Sequence, residues 1–180
     1  LLSNDGVLPL AGAGAAAGAA PKRIAVVGPN AARTEALMGC YSFANHVLAH
    51  HPGTEIGFEA PSVLEALRSA VGTSEIAYAE GCDVEGTDTS GIAAAAAVAG
   101  DADVAIVVVG DQAGLFGRGT VGEGNDVESL ALPGVQRELV EAIVATGTPT
   151  VLVLLTGRPY AIGWALDGQS RPAAVVQAFF

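Results

Sequence analysis

Five short apolar runs constrain what this chain can fold into: IAVVG (24–28), EIAYAEG (75–81), VAIVVVGD (104–111), TVLVLLTG (150–157) and AAVVQAFF (173–180). They are rich in β-branched residues, and most end at Gly or a polar residue. Short runs that stay apolar predict strands buried on both faces, as in a parallel sheet. Parallel strands need crossovers, and helix-like stretches lie between the runs. PSVLEALRSAVG (61–72) starts with Pro-Ser and ends in Gly, while GIAAAAAVAG (91–100) is Ala-rich and follows Thr89-Ser90 as candidate caps. PGVQRELVEAIVATG (133–147) sets Val135, Leu139 and Ile143 on one face with Glu and Arg opposite, and stops at Gly147. The expected fold is α/β: a doubly wound, mostly parallel sheet of five or six strands with helices on both faces. In such a sheet the functional loops lie at the carboxyl ends of the strands.

The length of 180 residues suits one domain over 1–180 and leaves little room for a second. Half the chain is hydrophobic (51%) but only 5% is aromatic, so its apolar content is mostly Ala, Val and Leu, as helices packed on a parallel sheet require. No apolar run approaches the ~20 residues that span a bilayer, so no membrane partner is expected. No basic segment followed by an apolar one opens the chain, and the expectation is a cytoplasmic rather than a secreted protein. Eight Lys and Arg against nineteen Asp and Glu give a net charge of −11, which disfavours nucleic acid as a partner. Cys40 and Cys82 are neither spaced for a metal nor numerous enough for a disulfide scaffold. The chain begins without Met inside the patterned segment LLSNDGVLPL and stops on a strand-like run, which reads as an excised piece of a longer polypeptide.

Two segments imitate sites. AGAGAAAGAA (11–20) looks like a nucleotide loop, but it precedes the first strand, and Gly12, Gly14 and Gly18 miss the G-x-G-x-x-G spacing. It reads as a flexible surface insertion. In NHVLAHHPG, His46 and His50 would share a helix face as a zinc pair does, yet no Glu follows His46 and Pro52-Gly53 end any helix at once. A polar loop is the expectation there, with no metal and no cofactor. No G-x-S-x-G elbow offers a serine nucleophile.

The remaining candidate is the connection from Asp111 to Leu132, well above the usual length. It contains GRGTVGEGND (117–126), where Glu123 stands between two glycines, and it carries Asp111, Arg118, Glu123, Asp126 and Glu128. Glycines on both sides allow unusual backbone angles and close approach of another surface. On composition alone, a turn with solvated acids and a functional loop remain equal readings.

Taken in order, LLSNDGVLPL, RIAVVGPNA, EIAYAEGCDV, ADVAIVVVGD, GEGND-x-x-x-L-x-LPGVQ-x-ELV and PTVLVLLTGRP resemble the C-terminal α/β-sandwich domain of glycoside hydrolase family 3, the β-glucosidases and β-xylosidases. The likeness covers nearly the whole chain apart from the Ala/Gly tract, and AGLFGRGT-x-GEG-x-D with TGRPYAIG resembles a bacterial branch. The resemblance implies flavodoxin-like layering and a preceding (β/α)8 barrel of the same polypeptide that supplies an aspartate nucleophile. It implies a retaining, exo-acting hydrolase of terminal β-linked glucose or xylose. The glutamate matching the family's acid/base motif is Glu123; Arg118 and Asp126 are the candidate substrate-binding residues beside it. Where the family commonly has Arg after the Asp, this chain has Val127. A retaining glycosidase works with two carboxyl groups roughly 5–5.5 Å apart, so the chain by itself, carrying one of them, is expected to be inactive. Two alternatives stand beside this: a non-catalytic carbohydrate-binding or interaction module, against which the low aromatic content argues, and a flavodoxin-like nucleotide binder, which lacks a phosphate loop.

Overall fold

A computed structural model of the protein describes residues 1–10, 20–51, 53–168 and 171–180. The Ala/Gly tract, except Ala20, and Pro52 lie outside the described residues. Six strands form one sheet: β1 (Ser3–Asn4), β2 (Arg23–Val27), β3 (Glu75–Ala79), β4 (Val104–Gly110), β5 (Thr150–Thr156) and β6 (Ala174–Phe179). Across the sheet they run β3-β2-β4-β5-β6-β1, all parallel except β1, which pairs antiparallel with β6 through Ser3–Val175 and Asn4–Ala174. The five strands expected from the apolar runs are all present. The sixth, two residues long, is too short to leave a pattern.

The helices are α1 (Val63–Ala70), α2 (Ile92–Gly100), α3 (Gln136–Val144) and the single turn α4 (Gly163–Leu166). Every residue of β4 is buried, and its side chains divide by alternation. Val104, Ile106 and Val108 join Ile24, Val26 and Leu64 of α1 on one face; Ala105, Val107 and Val109 join Ala95, Ala99, Leu139, Val140 and Ile143 of α2 and α3 on the other. The Val135, Leu139, Ile143 stripe read from sequence is thus the buried face of α3. Since β3 and β4 flank β2 on opposite sides and their helices cover opposite faces, the winding reverses between β2 and β4. That reversal opens a crevice at the carboxyl ends of these two strands.

Helix α1 begins with a capping box. The Ser62 hydroxyl accepts from the Glu65 N–H (3.3 Å), and the Glu65 carboxylate accepts from the Ser62 N–H and hydroxyl (2.8 Å each). The start of α2 corrects the sequence reading: Gly91 takes the cap position with no side-chain bond, because Gly91 lies against the carbonyl of Gly81 where a larger residue would not fit. Thr89 and Ser90 do not cap it.

The hydrogen bonds from Ser62 hold the Glu65 carboxyl below its ordinary value, as the N–H groups of Arg23 and Lys22 do for Asp103. For groups depressed in the folded state, stability is present above the unfolded value and is lost as pH falls through the folded one. Unfolding monitored from neutrality downward should therefore show stability falling below about pH 4. Ser62→Ala should cost about 1 kcal/mol at neutral pH and make that acid decline shallower. An unchanged acid limb would remove Glu65 from this account.

Candidate active-site loop

The segment after β4 is built on Asp111, a fully buried carboxylate at the strand's end. Its Oδ1 accepts from the Tyr160 hydroxyl and from Thr120 Oγ1 (2.6 Å), and its Oδ2 accepts from the Gly157 N–H (3.0 Å). One side chain thus joins the loop after β4 to the loop after β5. Burial, followed by the bond to Asp111, pushes the Tyr160 hydroxyl's pKa well up, so it stays a donor. Gln136 closes the same strand end from α3, accepting from the Gly110 N–H (2.7 Å) and donating to the carbonyls of Gly110 (2.8 Å) and Val84 (2.9 Å).

Beyond Asp111 the chain folds back and pairs with itself. Ala113 and Val121 form a parallel bridge, the Gly114 N–H donates to the Val121 carbonyl (2.9 Å), and the Phe116 N–H donates to the Glu123 carbonyl (2.8 Å). Asn125 plugs the resulting ring. Its Oδ1 accepts from the Gly117 N–H (2.9 Å), and its Nδ2 donates to the carbonyls of Arg118 (2.9 Å) and Gly114 (3.2 Å). The Arg158 guanidinium reaches across from the β5 loop to the carbonyls of Asn125 (2.6 Å) and Thr120 (3.3 Å).

The two glycines flanking Glu123 now have a reason. Gly122 (φ 129°) lies so close to the Gly114 carbonyl that a Cβ would overlap it, and Gly124 (φ 76°) sits against the backbone and ring edge of Phe116. Phe116 itself is 71% exposed and has a positive φ (54°), an uncommon conformation for an aromatic residue. Glu123 rides on this anchored backbone with its side chain exposed, and among the described residues its carboxylate has no hydrogen bond or ion pair.

The other candidates singled out in the sequence separate from one another in space. Asp126 and Glu128 are exposed and line, with Glu85 and Tyr160, an acidic hollow of about 580 Å³. Arg118 lines a different hollow, and its Nη2 meets His50 Nε2 at 2.6 Å. Glu123 lines neither hollow. Asp111, counted among the loop's acids, is a structural anchor instead. The roles of Gln136, Arg158 and Tyr160 were not read from the sequence because their partners are distant along the chain. Those of Thr120 and Asn125 escaped because their partners are backbone and side-chain groups brought together only by the fold-back of the loop.

His46 and His50 do not share a face. A π-helical turn (Phe43–Val47) followed by a tighter turn (Leu48–His50) breaks the i,i+4 alignment; His46 packs edge-on against Tyr41, 5.9 Å between centroids, while His50 turns to Arg118. Among the described residues no three His, Cys, Asp or Glu side chains gather as a metal site would require. Burial, with Asp83 and Glu80 nearby, pushes the Cys82 thiol up to about 11, which leaves it inert as a nucleophile at neutral pH. The only Trp, Trp164, is half-buried and carries the Arg137 guanidinium 5.1 Å above its ring, so it is not a free sugar platform.

The glycosyl hydrolase family 3 C-terminal domain model matches residues 1–180. The chain belongs to this family. The family 3 domain is 38% identical over 147 residues to a β-xylosidase of Formosa agariphila, and 31% identical over 180 residues to a periplasmic β-glucosidase of Salmonella typhimurium. The matches cover 81% and 87% of this chain, which spans only 19% and 21% of those relatives. Among solved structures, a β-glucosidase involved in saponin metabolism from intestinal bacteria superimposes with a TM-score of 0.73 at 25% identity, over 99% of this chain and 27% of that one. The β-glucosidase of Listeria innocua, at 22% identity and TM-score 0.69, shares the fold over 100% of this chain and 21% of that one.

Proposed function

We propose that this chain is the C-terminal domain of a retaining, exo-acting β-glycosidase that removes terminal β-linked glucose or xylose, and that Glu123 is its general acid/base. The observation that carries the reading is the contrast within the loop. The backbone on both sides of Glu123 is held by Asn125, Phe116 and Val121, yet the carboxylate itself is exposed and, among the described residues, without a partner. An acid/base needs this combination of fixed origin and free head, because it must reach the leaving oxygen of a substrate bound elsewhere. A (β/α)8 barrel of the same polypeptide supplies the nucleophilic aspartate and most of the sugar pocket. Docking against that second carboxylate would enclose the Glu123 head and shut water out of the pair. Arg118 and Asp126 flank the same loop and contact the substrate from its two sides.

The names of the relatives, β-xylosidases and β-glucosidases, support the choice of terminal xylose or glucose as substrate. The test uses Glu123→Ala in the full-length enzyme. With the base gone, a small anion such as azide attacks the glycosyl-enzyme directly, so turnover of an activated aryl β-glycoside should recover with added azide and yield the β-glycosyl azide. Recovery without that product, or no recovery in a folded variant, removes Glu123 from the acid/base role.

A further inference from the structure

The hollow beside Arg118 has the position and the charge of an anion subsite. It measures about 450 Å³ and is lined from one side by Arg33 and Glu35, in the segment after β2, and from the other by Gln112, Gly114, Arg118 and Gly119, after β4. It therefore occupies the crevice where the winding of the sheet reverses, the place in such folds where ligands gather. The chain has only eight Lys and Arg against nineteen acids, yet two of the eight face this one space.

Three of the arginines sit in ion pairs, and Arg33 and Arg118 share with Lys22, Arg68 and Arg158 the lack of one among the described residues. Arg23 pairs with Glu75, Arg137 with Glu141, and Arg171 with Asp5. Among the described residues neither Arg33 nor Arg118 has a carboxylate within ion-pair distance, although Glu35 lines the same hollow. Arg118 meets a histidine instead, His50, with His51 also lining the space. Two guanidiniums against one carboxylate leave the hollow positive, while the other hollow of the loop carries Glu85, Asp126 and Glu128. Guanidinium forks bind carboxylate and sulfate oxygens through paired, charge-assisted hydrogen bonds.

We infer that Arg33 and Arg118 form a subsite for an anionic substituent, a carboxylate or a sulfate, on the leaving-group side of the glycoside. The inference rests on the reading of Glu123 as acid/base, since the hollow borders the loop that would protonate the leaving oxygen. It adds a selectivity for acidic saccharides to that reading. The polypeptide's barrel is the competing occupant, and would use the same guanidiniums for its own acids.

The test compares three aryl β-glycosides of one sugar on the full-length enzyme: a phenol bearing a carboxylate, its neutral methyl ester, and a sulfonate analogue. The native enzyme should favour the carboxylate over the ester by roughly tenfold in kcat/KM, and the preference should shrink as ionic strength rises. Arg33→Gln and Arg118→Gln should each bring the ratio toward one. A sulfonate favoured as strongly as the carboxylate assigns the site to either anion; a sulfonate treated like the ester assigns it to carboxylates. No preference in the native enzyme, a preference indifferent to salt, or a preference that survives both substitutions overturns the subsite. These ratios leave the acid/base question untouched, because azide rescue at Glu123 reads that separately.

Discussion

Replacing Asp111 by alanine should destabilise the domain by about 4 kcal/mol, since three donors, two of them buried hydroxyls, lose their acceptor and each orphaned buried group costs about 1–3 kcal/mol. The Tyr160 and Thr120 hydroxyls are buried, the Gly157 N–H donates from a more exposed position, and Asp111 is itself fully buried. Denaturant unfolding of the purified protein reads the loss directly. Asp111→Asn should cost about half as much, because the amide keeps the volume but turns an N–H toward one of the donors. Thr120→Val removes the bond to Asp111 (2.6 Å) and the one accepted from the Gln112 N–H (2.9 Å) but leaves Asp111 its other two donors, so it should cost less than Asp111→Ala. An Asp111→Ala protein that unfolds at the native midpoint would show that these bonds do not hold the strand ends together.

The second large effect concerns catalysis. In the full-length enzyme, and with Glu123 as the proposed acid, Glu123→Gln should lower kcat/KM for glycosides of poor leaving groups by about 10²–10⁴-fold, the usual contribution of a positioned acid. For glycosides of acidic phenols the same variant should lose less than about tenfold, because those leaving groups depart without a proton. The parameter kcat/KM reports steps up to the first departure, so the comparison isolates acid catalysis from the later role as base. Equal losses across the series would mean that Glu123 positions or binds, and does not protonate.

Much of the architecture was legible because parallel strands buried on both faces have to be continuously apolar, and β4, with all seven residues buried, is the clearest case. The amphipathic stripe of α3 and the Ser62 start of α1 were legible for similar local reasons, whereas the Glu65 half of the cap was not read. What escaped was non-local. Gly91 starts α2 because it lies against Gly81, earlier in the chain, and the Thr89-Ser90 signal gave way to that contact. Asp111 looked like one acid among several in a loop; its partners lie up to 49 residues away. Glu123 itself was marked only by its glycines and by the motif around it. The backbone pairing that makes those glycines necessary joins residues 113–116 to 121–123, and no periodicity announces such a fold-back.

That fold-back divides the long connection after β4 into halves with different evolutionary prospects. From Asp111 to Asn125 nearly every position is locked to another by its backbone or by a plugging side chain, so substitutions there disturb the placement of Glu123. From Asp126 to Ala131 the side chains all face outward, and the stretch is tied down mainly where the Leu130 carbonyl accepts from the Ala161 N–H (2.7 Å). Sequence can drift, lengthen or be exchanged in that second half without moving the first. A lineage could therefore change what this edge of the domain meets by editing the short outer stretch, leaving the proposed proton donor where it was.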